Sequence, residues 1–292
     1  MATTLTEVPK FENNDTVIPA SGEPRTVASI LAAFQRLADR TKYARGATWG
    51  NMIGGDVFSV DTGGTSTVFT ARVNAFEAMV ARDTNNVFWP RFTTADTTFT
   101  VADIEGTPGA LANSSWYYAY LGVNTDGSLR KQLSTTGPGA SRIWKSTAAD
   151  QLRYVGCFPT TSSGAPLPLR RERGRVRYDH DSIQPSGITR VVNTTSTGVW
   201  ATVNCAAVVP PHARHAFLYL ETGAGSTAGS ASIRRLGATT QSRTFLAGIQ
   251  STIGFGGNYD ADMLLDASQR FEFFTDALVA TTLAAWVTGF QE

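Results

Sequence analysis

Charge is scarce in this chain. Of 292 residues, 25 are Lys or Arg and 24 are Asp or Glu, a charged share of 17%. An average domain carries about 25%. Helical bundles need Glu, Lys and Arg on their wet faces, so the deficit argues against an all-helical fold. The formal net charge is +1, which supplies no overall field to draw in nucleic acid or a membrane surface. Long apolar runs are missing as well. None approaches the roughly 20 residues that span a bilayer. The opening stretch MATTLTEVPKFENNDTVIP has no basic start followed by an apolar run. A secretory signal is therefore not expected, and folding in a cytosol is.

The residues that usually carry chemistry are also few. The two cysteines, Cys157 and Cys205, sit in the apolar stretches YVGCF and TVNCAAVV, and are expected as buried thiols without a disulfide framework. The three histidines are His180, His212 and His215. His212 and His215 enter a strand behind Pro210-Pro211, and residues three apart in an extended chain face opposite sides, so they hold no metal together. Asp260, Asp262 and Asp266 lack the glycine turn and closing Glu of an EF-hand loop. The glycine-rich pieces GGTS and GFGGN lack the Lys-Ser/Thr of a phosphate cradle, and no nucleophile elbow occurs. Asn113-Ser-Ser and Asn193-Thr-Thr match the glycosylation sequon by chance, given no secretory signal. The expectation is no catalytic residue, no metal, no cofactor and no enzyme.

What the chain has is period-two alternation broken by Gly, Pro, Asp and Asn turns. Strand-like segments run from DVFSVD (56–61) and STVFTARV (66–73), joined at the turn Thr62–Thr65, through WYYAYLGVN (116–124) to QLRYVGCF (151–158). A second series runs from ITRVVN (188–193) through HAFLYLET (215–222) to LAAWVTGFQE. This spacing predicts two β domains, 46–184 and 185–292, the second a β-sandwich or jelly roll. Residues 1–45 read as an extended arm and a single helix over 24–43, with Ser21 and Pro24 at its start. On that helix Val27, Ile30, Phe34 and Leu37 fit heptad a and d positions, and Leu31 widens the apolar stripe. The stripe predicts either an oligomerisation or anchoring helix or an amphipathic helix packed on its own β domain.

Two surface candidates stand out. Trp116, Tyr118 and Tyr120 alternate along one strand, and such a row can stack on sugar rings or fill an interface. The alternative is one side of a core. In LRRERGRVRYD, Arg173, Arg175 and Arg177 alternate with Gly174, Val176 and Tyr178. On one strand these arginines would share a face and pair carboxylates of a neighbouring strand or subunit. A nucleic-acid site would want a broader basic surface.

The segment VPKFENNDTVIPASGEPRTVASILAAFQRLADRTKY resembles the N-terminal attachment region of bacteriophage tail fibres and related tail proteins. The middle, WYYAYLGVNTDGSLRKQLSTT with LRYVGCFPTTSSGAPLPLRRERGRVRYD, resembles a recurrent module of phage virion proteins, and VVPPHARHAFLYL to AAWVTGF is similar to small β-sandwiches at fibre tips. The resemblance implies a virion structural protein made in the bacterial cytoplasm. It also implies a homotrimer docked by its N-terminus on other tail or baseplate proteins, with the C-terminal sandwich turned outward toward a host surface glycan or protein. A head fibre or decoration protein, and a carbohydrate-binding sandwich with no virion role, are the alternatives. Neither nucleic acid nor membrane insertion is implied, and a depolymerase would want a long repetitive β-helix that is missing here.

Overall fold

Alternation of buried and exposed side chains runs along strand after strand. The computed structural model describes residues 53–54, 57–82, 88–91, 95–126, 128–139, 145, 152–179, 189–195, 198–223, 229–239, 242–247, 249–250, 253–254, 257–275 and 282–292. In chain order the strands are β1 (Ile53–Gly54), β2 (Val57–Val60), β3 (Ala71–Val73), β4 (Phe76–Arg82), β5 (Phe88–Arg91), β6 (Thr97–Phe99), β7 (Trp116–Val123), β8 (Leu129–Ser134), β9 (Arg153–Pro159), β10 (Leu169–Glu172) and β11 (Arg175–Tyr178). They continue as β12 (Arg190–Thr195), β13 (Ala201–Asn204), β14 (His215–Gly223), β15 (Gly229–Arg235), β16 (Ser242–Ala247), β17 (Ile249–Gln250), β18 (Ile253–Gly254), β19 (Gly257–Leu264), β20 (Arg270–Thr275) and β21 (Thr282–Gln291). The protein is mainly β, as its composition and period indicate. A 3₁₀ turn at Val101–Asp103 is closed by a reciprocal capping box between Thr100 and Asp103. No helix among them is long and apolar enough to cross a membrane. The expected helix, with Val27, Ile30, Leu31, Phe34 and Leu37, lies outside the described residues.

The chain divides into two compact units. One takes Ala71–Pro108 and Tyr118–Gly156 with the described residues up to Phe58; the other takes Ser59–Thr70, Gly109–Tyr117 and Cys157–Glu292. The division therefore differs from the expected boundary after residue 184. Strand pairing is not bound to sequence neighbourhood, and the arginine hairpin pairs with the far end of the chain.

In the first unit, antiparallel ladders join β4 to β1 and β5, β3 to β6, and β7 to β8. Phe58 and Phe99 meet edge to face at 6.4 Å. Gly156 lies under Phe58, where any Cβ would collide with the ring. Tyr118 and Tyr120 both pack on Tyr154, with ring centroids 6.3 and 5.9 Å apart.

In the second unit, β21 is the central strand. One edge pairs with β14 along its whole length. The other edge is shared, β12 taking its first half and β11 its last residues. β19 pairs on the far side of β14, and β10 on the far side of β11. A four-stranded sheet, β13–β20–β15–β16, comes against β14 and β19, giving a β-sandwich. Its inner residues include Phe271, Phe273 and Ile233; those of the larger sheet include Leu218, Leu220, Ala285, Val287 and Phe290, all buried.

Thr62 and Gly63 turn within the expected stretch Thr62–Thr65, with Gly63 at φ of 77°, and a second turn follows two or three residues later. Thr65 and Val68 close it, with the Thr65 amide donating to the Val68 carbonyl at 2.7 Å and the Val68 amide to Thr65 Oγ1 at 3.0 Å. Residues 66–70 are loop rather than strand, because Phe69 is drawn in against Phe158 at 5.9 Å.

Candidate functional site

The second unit brings three chemically distinct side chains together near the end of β21. Alternation along that strand puts Glu292 on the same side as Phe290, which is buried. The Glu292 amide donates to the Gly174 carbonyl at 3.0 Å, which ties this residue to the arginine hairpin. Arg171 faces inward from β10, opposite Val176, and its Nε donates to Glu292 Oε2 at 2.7 Å. The other oxygen, Oε1, lies 3.2 Å from His212 Nε2 and 3.5 Å from Cys157 Sγ. Side-chain exposure is 6% for Glu292 and 9% for His212, and Cys157 is fully buried.

Each of these groups is held from behind. His212 rides on a turn in which the Ala213 amide donates to the Pro210 carbonyl at 3.0 Å. Gln269 Nε2 donates to the Pro211 carbonyl at 3.1 Å. Cys157 sits on β9 between buried neighbours. The carboxylate lies between thiol and imidazole: the Cys157 thiol faces Glu292 Oε1, and the same oxygen meets His212 Nε2. It is a buried carboxylate fixed by an arginine and facing two further donors.

The opposite side of the same sheet carries charge. β10 and β11 form a hairpin with Arg170 across from Arg177 and Glu172 across from Arg175. Those four side chains are exposed on one face, while Leu169, Val176 and Tyr178 are buried on the other. Arg170 Nε donates to Glu172 at 2.7 Å, and the Arg175 guanidinium covers the Phe217 ring at 4.3 Å. The register continues across the sheet as Arg177, Gly289, Phe217 and Asp262. Asp260 and Asp262 are exposed on β19, which ends the sheet among the described residues. The face is thus basic along the β10–β11 hairpin and acidic along β19.

Several expected residues take other positions. Arg173 does not share a face with Arg175 and Arg177. It occupies the hairpin turn with Gly174, at φ of 50° and 78°, the twist-matched geometry of a two-residue hairpin. A single strand could not have shown that the run folds back on itself. Tyr118 and Tyr120 are buried, at 3% and 0% exposure, and the Tyr120 hydroxyl donates to the Thr136 carbonyl at 2.8 Å. Trp116 is half-buried; its Nε1 donates to the Ala206 carbonyl at 2.9 Å and its ring meets Phe290 edge-on at 5.8 Å. The three aromatics form no exposed row that could stack on a sugar, because β7 is covered along both faces.

His212 and His215 do part, as their spacing requires: His215 is exposed on β14, while His212 turns inward. Sequence reasoning missed the partners His212 finds there. They lie 80 and 55 positions away, and only the paired strands bring them near. Asp266 closes its own turn, accepting from the Ser268 and Arg270 amides at 2.9 and 2.8 Å and from the Arg270 guanidinium. Burial alone would raise its carboxyl, but those hydrogen bonds and the Arg270 charge hold it below the usual value.

No protein-family model and no curated protein matches the chain. Among solved structures, the VP2 subviral particle of infectious bursal disease virus is 12% identical at a TM-score of 0.20, covering 82% of this chain and 69% of that one. The infectious bursal disease virus Gt strain structure is 11% identical at a TM-score of 0.18, with the same coverage. Likenesses at this level carry no argument about function.

Proposed function

We propose that this chain is a structural component of a bacteriophage particle, a tail fibre or baseplate protein, which assembles with copies of itself through the outer face of its C-terminal sheet. The row Arg177–Gly289–Phe217–Asp262 carries the reading. It spans three strand spacings, roughly 14–15 Å. That exceeds the Debye length of about 8 Å at physiological salt, so the two ends do not neutralise each other within one chain. The basic hairpin of one copy suits the acidic β19 of the next. Such a head-to-tail contact gives a ring when the rotation between copies closes, and three copies make the smallest ring beyond a dimer. The attachment-like segment, the YVG strand and the C-terminal sandwich support a place in the particle, with other tail proteins at one end and a host surface at the other. The burial of Tyr118 and Tyr120 removes the aromatic row that motivated a carbohydrate-binding module.

Sedimentation of the purified chain tests the reading. A trimer mass is expected, falling to monomer for Arg177→Glu and for Asp262→Arg, and restored in the double charge swap. A monomer at every concentration, or an unchanged trimer in both single variants, would refute the interface. Absence of the chain from purified particles would refute the virion role.

A further inference from the structure

We propose that Cys157, His212 and Glu292 form a binding site for a divalent cation of the zinc class. Nothing in the assembly reading requires it. Among the described residues, these are the three His, Cys, Asp or Glu side chains whose donor atoms converge as a group, all within 4.8 Å of one another. Bonds of about 2.0–2.3 Å at the tetrahedral angle separate donor atoms by roughly 3.3–3.6 Å. The separations from Glu292 Oε1, 3.2 Å to His212 Nε2 and 3.5 Å to Cys157 Sγ, lie within about 0.1 Å of edges of that size, and the third, from Sγ to the imidazole nitrogen, is within 4.8 Å.

The donor set selects the ion. A sulfur, an imidazole nitrogen and one carboxylate oxygen suit a borderline-soft cation, whereas Mg²⁺ and Ca²⁺ take oxygen cages. Arg171 completes the site from outside. It occupies Glu292 Oε2 at 2.7 Å, leaving Oε1 as the single oxygen facing the other two donors. Ligating carboxylates are commonly held in this way, and such partners tune affinity. Binding replaces the thiol proton with the metal: the S–H bond breaks, a metal–sulfur bond forms and H⁺ leaves to solvent. The guanidinium keeps its charge beside the carboxylate, so Zn²⁺, thiolate, carboxylate and arginine sum to +1. Three protein ligands leave a fourth position for water. Cys157 comes from β9, Glu292 from the residue that follows β21 and His212 from the turn before β14, so the ion would cross-link elements far apart in sequence.

The test uses the full chain freed of metal with a chelator, then titrated with Co²⁺ as a spectroscopic probe for Zn²⁺. The expected result is one equivalent bound, with the charge-transfer absorption of a thiolate on tetrahedral cobalt. Zn²⁺ competes it away, and Mg²⁺ does not. Cys157→Ser abolishes the band, His212→Asn weakens affinity more than tenfold, and Cys205→Ala leaves both unchanged. Zn²⁺ should also raise Tm by several degrees in the unaltered chain. No thiolate band in the unaltered chain overturns the proposal, as does a band that survives Cys157→Ser or vanishes in a folded Cys205→Ala. Should Cys157→Ser fail to fold, the titration of the unaltered chain and the Cys205→Ala control still decide.

Discussion

Tyr178 donates its phenolic proton to the Val208 carbonyl at 2.6 Å, and both residues are buried. The ring meets Phe290 at 6.2 Å, so the bond sits at the packed side of β11 against β21. Tyr178→Phe keeps the ring and removes the donor. The carbonyl is then buried without this partner, at a cost of about 1–3 kcal/mol. Urea denaturation should show a lower midpoint with an unchanged m-value.

Burial also governs alkaline stability. The Cys205 thiol is pushed from 9.0 up to about 12 by desolvation, and burial raises the Tyr178 phenol well above 10.0. Both groups stay protonated in the folded chain while the unfolded chain loses its protons. Their contribution is complete below about pH 9 and is lost as pH rises through the folded values. Urea midpoints should therefore fall between pH 9 and 12, and Cys205→Ala should make that fall shallower. An equal slope in the variant would contradict the assignment.

Gly289 faces the Val176 backbone, and a Cβ there would run into the Val176 carbonyl oxygen. That oxygen belongs to a ladder strand and cannot swing away as a flexible side chain could. Gly289→Ala should cost at least the 1–3 kcal/mol typical of overpacking, read as a drop in Tm. Because Gly289 lies in the charged cross-strand row, the same variant should also reduce the assembled fraction in sedimentation.

In the first unit, the Lys145 side chain is 1% exposed and bonds to Glu105 at 2.5 Å and to Gln132 at 3.1 Å. Burial raises the Glu105 carboxyl, but hydrogen bonds from Lys145 and Ser134, with the nearby charges of Lys145 and Arg130, bring it below 4.5. A lowered folded value stabilises the chain above the unfolded value, and that contribution disappears as pH falls through the folded one. Lys145→Met should cost roughly 2 kcal/mol at neutral pH, discounted for the partly exposed Glu105. It should also flatten the acid limb of the stability profile below pH 4.5.

Much of the strand content was legible. Segments such as 116–124, 128–134, 215–222 and the C-terminal ten residues alternate or run apolar, and they form β7, β8, β14 and β21. The arginine run was legible as strand but not as hairpin. Its reversal depends on two residues, Arg173 and Gly174, adopting positive φ, and Arg is a rare choice for that geometry. The aromatics of β7 were legible as a row. Whether a row is wet or dry depends on what covers it, and β8, β9 and Tyr154 come from elsewhere in the chain.

The Glu292 cluster shows the same limit more sharply. Its members lie 80 and 135 positions from Glu292, and no local pattern marks any of them. By itself the sequence determined that this protein is built of strands, with few charges, buried thiols and turns where glycine and proline fall, because those properties follow from side-chain periodicity and composition. The tertiary structure alone decided which strands lie side by side. Strand pairing is a long-range choice set by backbone ladders and core packing, and it is what brings a cysteine, a histidine and a glutamate within reach of one another.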